Sequence, residues 1–272
     1  MYAYNITQWL TFFIIYCFLG WVWESCYVSV KQKKWVNRGF MYGPLLPIYG
    51  SGAVIVLFAA LPFKGNVAAV YVAGMIAATI LEYCTGAAME ALFQVRYWDY
   101  SNKRFNLNGH ICLFCSLGWG FFSIAMVYCL HNPFESFVLR IPENILSPII
   151  HVVMMLAAAD FALSFKAAIE LRDILVKLEQ AKNEVRLLQK RIEVHEAFLA
   201  DSAKQRKEKY EAEIERIKTE LEDLRSELKQ KRDEASVRFS QRREYIRLLH
   251  AHPGATSAKY KAAFEEIRKK LL

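Results

Sequence analysis

Four carboxylates stand where the surrounding sequence makes them costly. Glu24, Glu82, Glu90 and Asp160 each lie within a long apolar run, and an ionisable group inside a bilayer is expensive unless it is paired or functional. Glu82, Gly86 and Glu90 fall four apart, so they share one stripe of a helix. Gly86 leaves room there for a neighbouring helix or a ligand. The flanking polar segments bring opposite charge: Arg38 in Asn37-Arg38-Gly39, and Arg96 just before Trp98-Asp99-Tyr100. Two chemistries fit. In one, the carboxylates pair with the arginines and hold the helices together. In the other, Glu24, Arg38, Glu82, Glu90, Arg96 and Asp99 line a polar cavity that binds a cation or a polar ligand. Four carboxylates against two arginines leave negative charge over.

Other chemistry is weakly represented. His110, Cys112 and Cys115 resemble half of a zinc site, but a closed site needs four ligands, and no second Cys/His pair stands nearby. No metal or cofactor is therefore expected. The remaining cysteines read as small apolar residues within helices. There is no Gly-x-x-x-x-Gly-Lys-Ser/Thr loop for nucleotide phosphates, no Gly-x-Ser-x-Gly and no His-Glu-x-x-His, so no enzymatic activity is expected. Trp21, Trp23, Trp35, Trp98 and Tyr100 suit an interfacial belt, or alternatively the lining of a ligand site.

The elements that must position these groups follow from composition. Residues 1–160 hold 9 Lys/Arg and 7 Asp/Glu, whereas the remaining 112 hold 26 and 20. The first part is too apolar for a soluble domain, and the second is too charged to bury a core of its own. About 20 apolar residues cross the hydrocarbon core, and five runs qualify: Thr7 to Val30, Pro44 to Leu61, Val67 to Phe93, Gly109 to Leu130, and Ile145 to Phe165. The second is short and opens on Pro44 and Pro47. The start of the chain has neither the basic segment nor the cleavage site of a signal peptide, so the first run is expected to stay. The fold class is thus all-α: a polytopic membrane helix bundle over 1–165, a coiled-coil helical region over 166–250, and a short basic amphipathic helix over 251–272.

Lys and Arg favour cytoplasmic loops. The loops after the first and third runs carry Lys31, Lys33, Lys34, Arg38, Arg96, Lys103 and Arg104, while those after the second and fourth carry only Lys64 and Arg140. This bias predicts a multi-pass protein of the cell membrane with its N-terminus outside and its tail in the cytoplasm. Mixed-sign charge at the tail's density is a solvated helix face. Nucleic acid is not an expected partner, since no basic patch carries interleaved aromatics.

In the tail, Leu171, Ile174, Leu178, Ala181, Val185, Leu188 and Ile192 alternate three and four apart, as a heptad seam does. The seam weakens at His195, Ser202 and Arg206. It resumes, one residue out of phase, at Ile214, Ile217, Leu221, Leu224 and Leu228. Either one helix absorbs a skip residue, or the chain folds back near Ala200–Lys209. That stretch has no Gly or Pro, which favours a continuous helix of about 120 Å. Its exposed stripe then needs self-association, as a parallel homodimer, or a partner helix. Beyond His252-Pro253-Gly254, the residues Tyr260, Phe264, Ile267 and Leu271 form one apolar face. That face either packs back on the coil or touches the membrane surface.

Several motifs of the first half resemble the ABC-transporter type IV, permease-like family of bacterial membrane proteins. They are Gly20-Trp21 with Glu24, Asn37-Arg38-Gly39, Gly43-Pro44, Pro47-Ile48-Tyr49-Gly50, Leu81-Glu82-Tyr83, Glu90, Trp98-Asp99-Tyr100, Phe105-Asn106 and Gly109. The resemblance extends over residues 8–165. It implies a permease-type membrane domain, with a separate ATPase as a candidate partner.

The loop bias makes a direct prediction. In a cysteine-free background, a membrane-impermeant maleimide added outside labels a Cys placed at Gly65 and misses one at Lys103. The reverse pattern overturns the topology.

Overall fold

The computed structural model describes residues 4–200, 204–241, 243–257 and 259–271. The chain divides into two compact units, one made of 1–169 with 247–258, the other of 170–246 with 259–272.

In the first unit, α1 (Ile6–Gln32) opens on a capping box in which Asn5 and Gln8 satisfy each other's backbone N–H groups. It ends on Lys33 in the left-handed region. α2 (Pro47–Ala60) starts on a proline whose missing N–H is no loss at a helix start. α3 (Val67–Phe93) is capped by Asn66 and ends on left-handed Gln94. A two-stranded hairpin pairs β1 (Asn106–Leu107) with β2 (Ile111–Cys112). Then come α4 (Leu113–Ala125), a π-helical turn (Met126–Leu130), α5 (His131–Arg140) and the start of α6 (Glu143–Ala200).

Consecutive helices are neighbours: α1 packs on α2, α2 on α3, and α3 on α4. Phe12, Val56, Leu57, Val70, Met126 and Val127 form the dry centre. Close approach is set by small residues. A Cβ on Gly74 would meet Ser123 of α4, and one on Gly20 would meet the Tyr49 ring. Large apolar side chains such as Phe58, Ile80, Phe114, Met155 and Leu156 point outward, as they do when the solvent is lipid. Ile6–Gln32, Val67–Phe93, Leu113–Arg140 and Glu143–Val194 are long and apolar enough to cross a membrane, while Pro47–Phe63 is an apolar helix of shorter length. The fourth run departs from its expected bounds. Gly109–Cys112 belongs to the β-hairpin, as the end of its turn and β2, and the apolar helix runs on from Leu113 through the π turn to Arg140.

Residues 33–46 carry the main surprise of this unit. They do not form a surface loop between α1 and α2, because the Leu46 N–H bonds the Cys17 carbonyl at 3.0 Å, near the middle of α1. The segment therefore runs back into the bundle before α2 begins. This is why α2, about 21 Å long at 1.5 Å per residue, falls short of the roughly 30 Å hydrocarbon core.

In the second unit, the expectation of one continuous helix fails. α6 ends at Ala200 and α7 (Lys204–Gln241) follows. Leu188 packs with Ile217 and Leu221, flanked by Val185, Ile192 and Leu224. In a straight helix Leu188 and Leu221 would lie about 50 Å apart, so the chain folds back on itself. Over this stretch the apolar stripe that called for a parallel homodimer is covered within one chain. Leu175 rather than Ile174 is the buried residue of its turn. α8 (Arg243–Ala251) leads back to the first unit, and α9 (Lys261–Leu271) packs on α7. Tyr260 and Phe264 are buried, in line with a face that packs back on the helices. The side chains of His195, Arg206, Ile267 and Leu271, and residue Ser202, lie outside the described residues.

The fold-back is testable by cross-linking. Cysteines at Leu188 and Leu221 in otherwise cysteine-free protein should form a disulfide within one chain, running as a monomer on a non-reducing gel. Rapid dimer formation through a single Cys at Leu178 would reinstate the parallel pair.

Candidate functional site

The six candidate residues separate into three arrangements in the first unit. In the first, Glu24 of α1 receives the Arg38 Nε at 3.2 Å and the Tyr49 hydroxyl at 2.6 Å. Arg38 is presented by the inward-running segment, whose backbone is held by α1 side chains. The Val36 N–H bonds Ser29 Oγ at 2.9 Å and the Arg38 N–H bonds Ser25 Oγ at 3.1 Å. Trp21 donates its Nε1 proton to Asn37. Asp160 of α6 completes this frame. Its two oxygens accept the N–H groups of Tyr42 at 2.9 Å and Gly43 at 2.7 Å. Asp160 is therefore a cap for irregular backbone.

In the second arrangement, Glu90 near the end of α3 bonds Arg96 Nε at 2.8 Å and His110 Nε2 at 3.3 Å. Asp99 lies 3.6 Å from Arg96 and accepts both the N–H and the hydroxyl of Ser101. Burial opposes ionisation of Asp99. The two Ser101 bonds and the Arg96 charge outweigh it and hold the carboxyl below the usual range. Gly109, at φ +74°, lies where a Cβ would strike Ser101, Arg96 and Asp99, so the loop closes this tightly only around a glycine. The space left by Gly86 is filled by His110 and Trp98 of the same loop, not by a further helix.

Glu82 stands apart. It is 8% exposed, and its oxygens accept from the Tyr100 hydroxyl at 3.2 Å and from Trp119 Nε1 at 2.9 Å. Both donors are neutral. Glu82 and Glu90 share a helix stripe as expected, yet they belong to different networks.

The sequence reading missed an entire layer. Residues 247–257 return to the loops of the membrane unit. Arg247 donates to the Met41 carbonyl at 2.5 Å and the Phe40 carbonyl at 3.0 Å, with its guanidinium 3.9 Å over the Tyr42 ring. Arg38 donates to the Ala251 carbonyl. Arg96 and Thr256 exchange both backbone bonds, at 2.7 and 2.9 Å, and Ser257 Oγ donates to the Gln94 carbonyl at 2.7 Å. His252 packs edge-on to Tyr97 at 4.5 Å. His131 was also missed. It is fully buried at the start of α5, with Tyr4 Oη 3.1 Å from Nε2 and Tyr16 Oη, from α1, 3.0 Å from Nδ1. Tyr49 and Tyr100 sat within the quoted motifs and could have been drawn from them. Nothing local marks Ala251 as a partner of Arg38, 213 residues away.

A family model described as putative ABC-transporter type IV matches residues 11–165. That is more than half of the chain. The chain belongs to this family. The matched span holds every carboxylate and arginine of the three arrangements and ends before the helical hairpin. No curated protein and no solved structure matches the chain.

His252 makes the returning segment sensitive to acid. Burial, with Arg38 and Arg247 alongside, pushes its pKa down to about 3, against the bond that the ring donates to the Leu248 carbonyl. The native form thus binds fewer protons than the released one. Docking is at full strength above the ordinary value of 6.5 and weakens as pH falls from there toward 3, about tenfold for each pH unit below about 6. Spin labels on cysteines at Lys103 and Gly254 should report one short distance at pH 7 and a growing longer population between pH 6 and 4. His252→Phe should flatten that response; an unchanged response would assign it to another group.

Proposed function

We propose that this chain is the membrane component of an ABC-type transport system and that it receives a cation or a polar ligand at Glu82. The observation behind this reading is a contrast of partners. Glu24 and Glu90 each face an arginine, and Asp160 is occupied by two backbone N–H groups. Among the described residues Glu82 meets neutral donors only, so its charge is left for something else to balance. A tyrosine and a tryptophan beside a carboxylate suit an ammonium-type cation, which gains from the ring faces as well as from the charge. Glu24, Arg38, Glu90, Arg96 and Asp99 then act as the frame that holds the segments around Glu82, without direct contact to the ligand. On this reading the site opens toward the cytoplasm of a cell-membrane protein, following the loop-charge bias. The energy comes from a separate ATPase, and the ligand is moved without covalent change.

A second reading has its own support. The returning segment engages both Arg38 and Arg96, and residues 170–246 are bounded in sequence by two segments of the membrane unit. A helical hairpin held in this way suits a scaffold or sensor that recruits a partner protein without transport.

Glu82→Gln separates the two. The transport reading expects the variant to insert and melt close to the parent. In the parent, Trp fluorescence should change saturably with tetramethylammonium chloride and not with sodium chloride. In the variant that change should be lost. Arg38→Gln and Arg96→Gln should instead lower the melting temperature by several degrees, because each leaves a partly buried carboxylate without its counter-charge. Loss of expression in Glu82→Gln, to the same degree as in Arg38→Gln, favours the scaffold.

A further inference from the structure

One pair of reactive side chains lies outside the ionic frame. Cys112 is the N-cap of α4, with extended backbone at φ −141° and ψ 151°, and its Sγ accepts the Cys115 N–H at 3.4 Å. The cap turns its side chain back over the first helical turn, onto the face from which Cys115 projects. The two sulfurs lie 2.8 Å apart, closer than the roughly 3.5 Å at which non-bonded heavy atoms make contact. The alternative use of these residues, as a zinc half-site with His110, is not assembled. His110 Nε2 is turned to Glu90 at 3.3 Å, and no group of three or more metal-ligating side chains is found among the described residues.

We propose that Cys112 and Cys115 are a redox-active dithiol that closes reversibly to a disulfide by exchange with a small-molecule disulfide. Two cysteines at this spacing on the first turn of a helix are brought within reach of each other by the cap itself. The half-buried Cys115 is the entry point, since Cys112 is only 2% exposed. Cys115 loses its proton and attacks one sulfur of the incoming disulfide, releasing one thiolate and leaving a mixed disulfide. Cys112 then loses its proton, attacks Cys115 Sγ, and expels the second thiolate. Two protein S–H groups become one S–S bond. The incoming disulfide takes up two electrons and the two protons and leaves as two thiols. A dithiol reductant reverses the sequence. Tyr100, whose hydroxyl donates to Glu82, also lies beside Cys115. Oxidation therefore alters the surroundings of the group that holds Glu82; this extension alone rests on the ligand reading of that carboxylate.

The test uses the full chain in detergent, with oxidised glutathione as the probe. The chain has six cysteines, and all six should react with maleimide under SDS after treatment with a reductant. After oxidised glutathione only four should react, the intact mass should drop by two hydrogen atoms, and a peptide should carry the Cys112–Cys115 link. Cys115→Ser and, separately, Cys112→Ala should each abolish the link, whereas Cys26→Ser and Cys84→Ser should leave it. Six reactive thiols after oxidised glutathione, or a glutathione adduct on Cys115 that never resolves, overturns the proposal. Glu82→Gln protein should still form the link, so failure of the ligand reading and failure of the redox pair are told apart. A change in Trp fluorescence on oxidation that Cys112→Ala removes supports the coupling to Glu82, and its absence removes the coupling.

Discussion

Irregular backbone inside an apolar bundle must find a partner for each polar group, since lipid offers none. The inward run of residues 33–46 imposes this demand, and much of the polar chemistry of the membrane unit answers it. Ser25 and Ser29 accept backbone N–H groups of the segment, and Trp21 binds its Asn37. Asp160 caps Tyr42 and Gly43 from a helix more than a hundred residues on. An ionised carboxylate is a stronger acceptor than a neutral oxygen, which gives a physical reason for a charge at this depth. Substituting it would leave two donors without acceptors in a region where water does not replace them.

The ionic groups fall into place behind that constraint. Once the segment is fixed, Arg38 lies against Glu24, and the Tyr49 hydroxyl takes the second oxygen. The loop after α3 repeats the logic with Arg96, which answers Glu90 and Asp99 together. These are positioning interactions: each joins a helix to a loop that would otherwise have no reason to stay. Glu82 differs because neutral donors hold its side chain and, among the described residues, no cation pairs with it. The separation into frame carboxylates and one buried carboxylate with neutral partners is the basis for assigning it a ligand.

The returning segment adds a further constraint. Residues 247–257 bond to both loops, through Arg38 on one and through Arg96 and Gln94 on the other. They use backbone carbonyls and a two-way backbone bridge, so the contact depends little on side-chain identity at Ala251 and Thr256. Arg247 is the exception, with its guanidinium spread over two carbonyls and the Tyr42 ring. A hairpin whose exit and return both belong to the membrane unit is a different object from a free cytoplasmic tail.

What the sequence by itself determined are the properties that local composition carries. Long apolar helices, the charge of the connecting loops and the heptad spacing are all set within a few turns of chain. The family motifs include Glu24, Arg38, Glu82 and Glu90, and Arg96 stands out as a charge just before Trp98-Asp99-Tyr100. Tertiary structure alone decided how they pair. A heptad stripe is buried equally well by a second chain or by a fold-back, because periodicity states what must be covered and not what covers it; Leu188 against Leu221 resolved that ambiguity. Likewise, a stripe of Glu82 and Glu90 does not reveal that one meets Arg96 while the other meets Trp119, since the partners come from other segments. The inward course of residues 33–46 and the docking of Ala251 on Arg38 are long-range closures, to which local propensity is blind.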